Sequence, residues 1–411
     1  MPLEANEQRL WASLMEMAKI GATPNGGCSR LALTDEDKAA RDLFVAWCRE
    51  ASCEISIDRL GNIFARRAGA DPARPPVLSG SHLDTQPHGG RFDGVYGVLA
   101  ALEVIRRLND AGLRTQAPIE AVVWSNEEGV RFQPGLLASG VVGGLYDLDE
   151  ILAARDPDGA VYADELERIG YAGQMAVGGR ALDSFFEAHI EQGPVLEAEG
   201  KTVGVVDRVQ GLRWFQVTLE GQDSHAGTTP MGMRRDAAAG AAEMILALEA
   251  MGRADAPEAR VTVGRIDVVP NAPSTIPGRV AFFIDLRNPS TETLARQEAD
   301  LRTRLAAIAA ARGLALTIER GIEIPPVAFD PDCVAAVRAA AETLGIPHLD
   351  MISGALHDAC CLSRVAPTAM VFVPCKDGLS HNEAESATPA DLAAGTSVLL
   401  NAILARAGVA G

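Results

Sequence analysis

Residues 76–128 read PVLSGSHLDTQPHGGRFDGVYGVLAALEVIRRLNDAGLRTQAPIEAVVWSNEE, and this stretch decides the fold. Pro76 to Ser81 is a short apolar run closing in small residues, the mark of a buried strand. Gly94 to Leu108 reads as a helix, with Val98, Leu99, Leu102, Val104 and Ile105 apolar. Ile119 to Trp124 is a second apolar strand running into Ser125-Asn126-Glu127-Glu128. Strand, polar tip, helix, strand, polar tip is the pattern of an α/β sheet, in which ligands bind beyond the carboxyl ends of the strands. The tips here carry His82, Asp84, Asp93, Glu127 and Glu128.

Working outward, residues 7–20 have helical periodicity, with Leu10, Leu14, Met17 and Ala18 on one face. Thr34 with Asp37 reads as an N-cap pair before a helix ending near Ala51. The character changes near Gly211. Trp214 to Glu220 alternates as a strand, Met233 to Met251 is an Ala-rich helix, and Val261–Val268 and Arg279–Arg287 are further strands before a helix from Thr291 to Arg312. This β-α-β-β-α-β order describes a small α+β domain of ferredoxin-like type. After Pro325 the earlier style resumes, with a helix at 331–344, a buried strand at 369–374 and a closing helix at 390–405. The expectation is a mixed-sheet α/β catalytic domain, residues 1–211 and 326–411, interrupted by a smaller domain at 212–325.

Composition narrows the function. The 411 residues, 47% hydrophobic and 22% charged, suffice for a large core. A formal net charge of -18 argues against nucleic acid and against an anionic membrane surface. Seven cysteines, an odd count with no C-x-x-C, fit reduced thiols in a cytosol. The first residues carry no secretory apolar region and no run approaches a membrane span, so a cytoplasmic protein is expected.

The histidines point to chemistry. Six of the seven (His82, His88, His189, His225, His357, His381) sit among Gly, Asp, Glu, Ser or Asn in strand ends and loops. On a strand end His82 and Asp84 point the same way, so the Asp84 carboxylate can accept the second imidazole N–H of a metal-bound His82; a plain His–Asp bond is the alternative. Asp93, between glycines, reads as a carboxylate bridging two cations or as a helix N-cap. Glu127 and Glu128 either repel each other at the surface or divide labour at a cation, one as ligand and one as base. His189 and His381 are weaker candidates, each among acids in a turn. Mixed nitrogen and oxygen donors suit Zn, Mn, Co or Ni better than Mg or Ca.

Eight segments carry a resemblance: GSHLDTQPHGGRFDGVYGVLAALEVI, SNEEGVRF, AHIEQGPVLE, GLRWFQVTLEGQDSHAGTTPM, PNAPSTIPG, DLRNP, SGALHDA and VPCKDGLSHNEAE, running from residue 80 to 385. In order and spacing the chain resembles the M20-type amidases of the hydantoinase/carbamoylase family, which includes N-carbamoyl-L-amino acid hydrolases, β-ureidopropionases and allantoate amidohydrolases. The resemblance implies two divalent metal ions per subunit, with His82 and His189 on one, Glu128 and His381 on the other, and Asp93 bridging. It implies that Asp84 orients His82 and that Glu127 is the general base. It further implies that the inserted domain is a dimerisation and lid domain forming a homodimer. His225 would stabilise the oxyanion from the partner subunit, Asn271 and Arg287 would bind a substrate carboxylate, and Gln192 and Gly354 would line the pocket. A surface Arg287 paired with Asp285 and a turn-stabilising His225 are the plainer readings of those residues. Leu356 stands where the family commonly has glycine, which puts substrate identity in doubt.

The reaction implied is hydrolysis of the carbamoyl C–N bond of an N-carbamoyl-L-amino acid, or a related carboxylate-bearing ureido or amide substrate, to amino acid, carbon dioxide and ammonia. Allantoate, an N-acyl amino acid or a dipeptide on the same metals is the first alternative. A non-catalytic binding protein of this fold is the second.

Overall fold

The computed structural model describes residues 2–411. The chain divides into two compact units, one of residues up to Asp207 together with Ala328–Gly411, the other Arg208–Val327. In the first unit the strands Ile119–Trp124, Val77–His82, Ser184–Ile190 and Thr368–Val373 lie side by side and parallel. Each is buried along its whole length, as strands covered on both faces must be. Antiparallel partners continue the sheet, Ile63–Arg67 at one side and Val203–Val209 at the other, giving a mixed sheet of nine strands.

The helix Val95–Asp110 connects the first two parallel strands and packs against the sheet at Gly97, where a Cβ would run into the carbonyl of Ala188. All four parallel strands send their carboxyl ends to one rim. The tips that follow them, after His82, Trp124, Ile190 and Val373, therefore collect there.

The second unit holds an antiparallel sheet in the order Ala315–Ile324, Gly211–Glu220, Arg279–Asn288, Arg260–Val269. Helices Ala237–Ala254 and Thr291–Arg312 pack on it around Phe215, Val217, Met244, Leu248, Phe282 and Leu301. Its β-α-β-β-α-β order follows the expected one.

Several boundaries differ for local reasons. The first helix stops at Met17 rather than residue 20, and is capped by Asn6, whose side chain accepts from the Arg9 amide. The helix expected from Met233 begins at Ala237, because Asp236 accepts from the Ala239 amide at 3.0 Å and ends the extended segment before it. Thr34 caps the helix Asp35–Glu50 as expected, while the Asp37 carboxylate reaches one residue further back, to the Leu33 amide at 2.8 Å. Short helices at Leu137–Val142, Leu148–Leu152 and Tyr162–Ile169 were not expected. All seven cysteines are buried and unpaired, and among the described residues no helix is long and apolar enough to cross a membrane.

One ion pair ties this scaffold to the rim. Arg41 and Asp37 are buried together at 2.8 Å, and the guanidinium also donates to the Gly61 carbonyl at 2.7 Å and to Ser125 Oγ at 3.1 Å. Ser125 begins the tip that carries Glu127 and Glu128. Removing one partner of a buried pair strands the other charge. Arg41→Met is expected to lower stability by roughly 3–5 kcal/mol in urea unfolding; an unchanged midpoint would mean the pair contributes nothing net.

Candidate metal centre

Asp93 is the hub of the rim. It does not cap the helix after it: Gly94 occupies the N-cap position with φ 65°, without a side-chain cap. At that position a Cβ would overlap the His82 ring, so glycine is required for the loop to pass. The carboxylate is thereby left to face the site. Asp93 Oδ1 lies 3.2 Å from His189 Nε2 and 3.8 Å from His82 Nε2, while Oδ2 lies 3.2 Å from His381 Nε2.

Two groups of donors share it. His82, Asp93 and His189 bring ligand atoms within 4.8 Å of one another, and so do Asp93, Glu128 and His381. The two buried imidazoles are held in one tautomer by backbone carbonyls. His82 Nδ1 donates to the Asp84 carbonyl at 2.8 Å and His189 Nδ1 to the Ile190 carbonyl at 3.0 Å. Each Nε2 is thus turned toward Asp93, the arrangement a metal-binding histidine needs.

Asp84 holds His82 by means other than those expected. Its carboxylate is 3.9 Å from the ring, and its carbonyl makes the bond instead. The reason is geometric: both carboxylate oxygens are engaged by the next strand's tip, Oδ1 by the Glu127 amide and Oδ2 by the Glu128 amide, each at 3.2 Å. Asp84 therefore fixes both glutamates. Glu127 turns its Oε2 to within 3.5 Å of His82 Nε2, while Glu128 Oε2 lies 3.6 Å from His381 Nε2 and accepts from Gln86 Nε2 at 2.6 Å.

The electrostatics call for cations. Burial pushes Glu127 well above the carboxylate range, with Asp358, Glu128, Asp84 and Asp93 adding to it. Burial and then Asp93 push Glu128 up to about 8. Burial pulls His82 down to about 4. Burial also opposes charge on His189, but the bond to Asp93 outweighs it and carries that imidazole up to about 9. The same bond lifts the half-exposed His381 to about 9. A divalent cation in either group would offset the Asp93 charge. Glu128 Oε1, buried without a hydrogen-bond partner, is a further donor awaiting one. The residues fit divalent metal.

A third group, Glu187, His189 and His357, also comes within ligand reach. Its members already have partners. Glu187 accepts from Ser81 Oγ at 2.6 Å and from the Ala359 amide at 2.8 Å, and His357 Nε2 donates to Ser353 Oγ at 3.0 Å. These residues buttress His189, whose ring centre is 4.5 Å from that of His357. Burial pushes the thiols of Cys360 and Cys361 up, in keeping with apolar rather than nucleophilic cysteines.

The other sequence-derived candidates are distributed as follows. Gln192 belongs to the hub, donating from Nε2 to Asp93 Oδ2 at 2.9 Å and to Ser380 Oγ at 3.2 Å. Gly354 is exposed, and a Cβ there would meet nothing within 4 Å. His225, Asn271 and Arg287 lie in the second unit. His225 is exposed, and its Nδ1 accepts from the amides of Gly227 at 3.0 Å and Thr228 at 3.2 Å. Nε2 is therefore the N–H donor. Asn271 is exposed in the left-handed region, φ 57°. The Arg287 guanidinium forks onto Asp285 through Nε and Nη2 at 2.8–3.2 Å.

Glu385 was missed. It is buried, and its Oε1 accepts from the amides of Phe92 and Asp93 at 2.9 and 3.2 Å, while Oε2 accepts from Ser380 Oγ at 3.1 Å. Ser380 Oγ is also 3.0 Å from Asp93 Oδ2, so its single proton lies between the two carboxylates. Glu385 is thus the residue that holds the Asp93 loop to the His381 loop. In sequence it stands four residues after His381, at the end of the segment VPCKDGLSHNEAE.

Comparison with known proteins gives one family. The description "Peptidase family M20/M25/M40" matches residues 78–405. An N-carbamoyl-L-amino-acid amidohydrolase of Rhizobium meliloti is 46% identical over 97% of this chain and 96% of its own. An allantoate amidohydrolase of Bacillus subtilis is 33% identical over 93% of each. The crystal structure of an amidase of the hydantoinase/carbamoylase family from Burkholderia multivorans superposes with a TM-score of 0.97 at 56% identity, covering 98% of both chains.

Outer partners of metal ligands set their aim. Glu385→Ala is expected to weaken metal binding about 10–100-fold in equilibrium dialysis against a chelator, with the fold retained by circular dichroism. Undiminished metal affinity would remove Glu385 from the site.

Proposed function

The chain belongs to the M20/M25/M40 peptidase family, and from that premise we propose that it is a metal-dependent amidohydrolase cleaving the carbamoyl C–N bond of an N-carbamoyl-L-amino acid. The observation that carries the reading is the buried Asp93, shared by a buried donor group and a second group that reaches the surface at His381, with Glu127 in neither. Relatives named for N-carbamoyl-L-amino-acid hydrolysis are more similar to it than those named for allantoate.

Two divalent ions, one with His82 and His189 and one with Glu128 and His381, with Asp93 common to both, would supply Lewis acidity for water and for the scissile carbonyl. Glu127 takes a proton from the attacking water at Oε2 and delivers it to the leaving nitrogen. Asp84 keeps Glu127 and Glu128 apart in direction, so the base is not drawn into ligation. His225, its Nε2–H fixed by the two backbone amides on Nδ1, is assigned to the oxyanion. Asn271 and Arg287, the latter steadied by Asp285, are assigned to the substrate carboxylate. The proposal includes a homodimer and Zn, Mn, Co or Ni as the metal.

A panel of N-carbamoyl, N-acyl and ureido acids tests the substrate. Turnover of N-carbamoyl-L-amino acids is expected; exclusive turnover of allantoate or N-acyl substrates would overturn it. Glu127→Gln is expected to keep its metal and lose about 10²–10⁴-fold in kcat, and full activity in that variant would reject the assigned base. His225→Ala is expected to lose about 10²–10³-fold in kcat with little change in metal content.

A further inference from the structure

Away from the rim, the first unit holds a partly open cavity of about 420 Å³. Phe64, Leu78 and Trp124 form its floor. Strand register explains why: Phe64 pairs with Val122 and Leu78 with Glu120, so with Trp124 they share one sheet face. The roof is the segment from Met175 to Leu182. It is anchored at one end by the Met175 carbonyl, which accepts from the Arg59 amide, and at the other by the Asp183 amide, which donates to the Pro76 carbonyl. Gly178 and Gly179, both at positive φ, turn the chain over the gap.

The walls are apolar except for two donors. Arg180 is pinned, its guanidinium 4.6 Å from the Phe64 ring centre and its Nη2 2.5 Å from Glu120 Oε2. Glu120 is also paired with Arg66 at 2.7 Å, so two guanidiniums share one carboxylate. Asp58, the other acid near Arg180, is taken up by Asn62 and by the amides of Leu60 and Asn62. The second donor is the Trp124 indole N–H, buried with no acceptor in the protein. A buried donor without an acceptor is costly, and few native groups are left so.

We infer that this cavity is a binding site for a small apolar carboxylic acid. Its hydrocarbon body lies among Phe64, Leu78, Met175 and Leu182. Its carboxylate meets the Arg180 guanidinium and supplies the acceptor that Trp124 lacks. Trp124 is paired in register with His82 and precedes Glu127 by three residues, so an occupant would touch the strand end that carries the metal centre. The site is independent of the reading of the catalytic reaction.

Isothermal titration of n-hexanoate into the metal-loaded enzyme tests it. Saturable binding is expected, weakened about tenfold or more by Arg180→Gln, since a charge-assisted bond is lost. Hexanamide should bind more weakly than hexanoate. Val365→Trp, and independently Val142→Phe, fill the cavity from walls outside the catalytic machinery and should abolish binding while leaving turnover intact. Absence of binding to the wild type, or binding that survives both filled variants because it takes place at the metal centre, overturns the inference.

Discussion

The buried Asp93 carboxylate divides its oxygens, one toward the buried His189 and His82 and one toward the half-exposed His381. That division sets the demands on everything around it. A buried carboxylate facing lone-pair nitrogens is tolerable only if protons or cations lie between. Gly94 must cap the next helix so that Asp93 need not. Glu385 must hold the Asp93 loop by its amides, and backbone carbonyls must fix the imidazoles of His82 and His189 so that Nε2, not Nδ1, looks inward. Each of these costs local stability, and each is supported by the burial of the four parallel strands behind it.

The sheet supplies that support by topology. Four neighbouring parallel strands deliver four tips to one rim, and the candidate ligands all come from those strand ends and the loops that follow them. His189 is the extreme case, sitting within its strand, where it pairs with Phe372 of Thr368–Val373. Arg41 performs the same service from behind, linking the helix Asp35–Glu50 to Ser125 at the base of the glutamate tip.

Much of this was legible in residues 76–128, because fully buried strands write themselves as unbroken apolar runs and the polar tips between them stand out. The helix Thr291–Arg312 was read to its ends because Ser290 and Gly313 punctuate it. The helix read from Met233 was misplaced because methionine favours helix, while the competing signal, the Asp236 cap, lies three residues on. The short helices between Leu137 and Ile169 escaped because one or two turns carry too little periodicity to register. At the site, residue type identified the metal ligands as candidates, and the family resemblance sorted them. Roles carried by backbone atoms were invisible: nothing in the letters Ser-His-Leu-Asp says that Asp84 would use its carbonyl on His82 and its carboxylate elsewhere. Glu385 was hidden for the same reason, since its partners are amides.

The separation of Glu127 from Glu128 shows how such backbone contacts decide chemistry. Adjacent carboxylates on a strand tip would ordinarily splay into water or both close on the nearest cation. Here one carboxylate, Asp84, accepts from both of their amides, and fixing two consecutive amides on one acceptor fixes the peptide plane between them. With that plane set, the two side chains must leave on different sides. Glu128 falls toward His381 and Gln86, Glu127 toward His82. Burial raises the proton affinity of both; on Glu128 the nearby His381 and the Gln86 hydrogen bond offset part of the rise, while Asp358, Glu128, Asp84 and Asp93 add to it on Glu127. Two identical neighbours thus come to face different partners, and the difference originates in a third residue, Asp84.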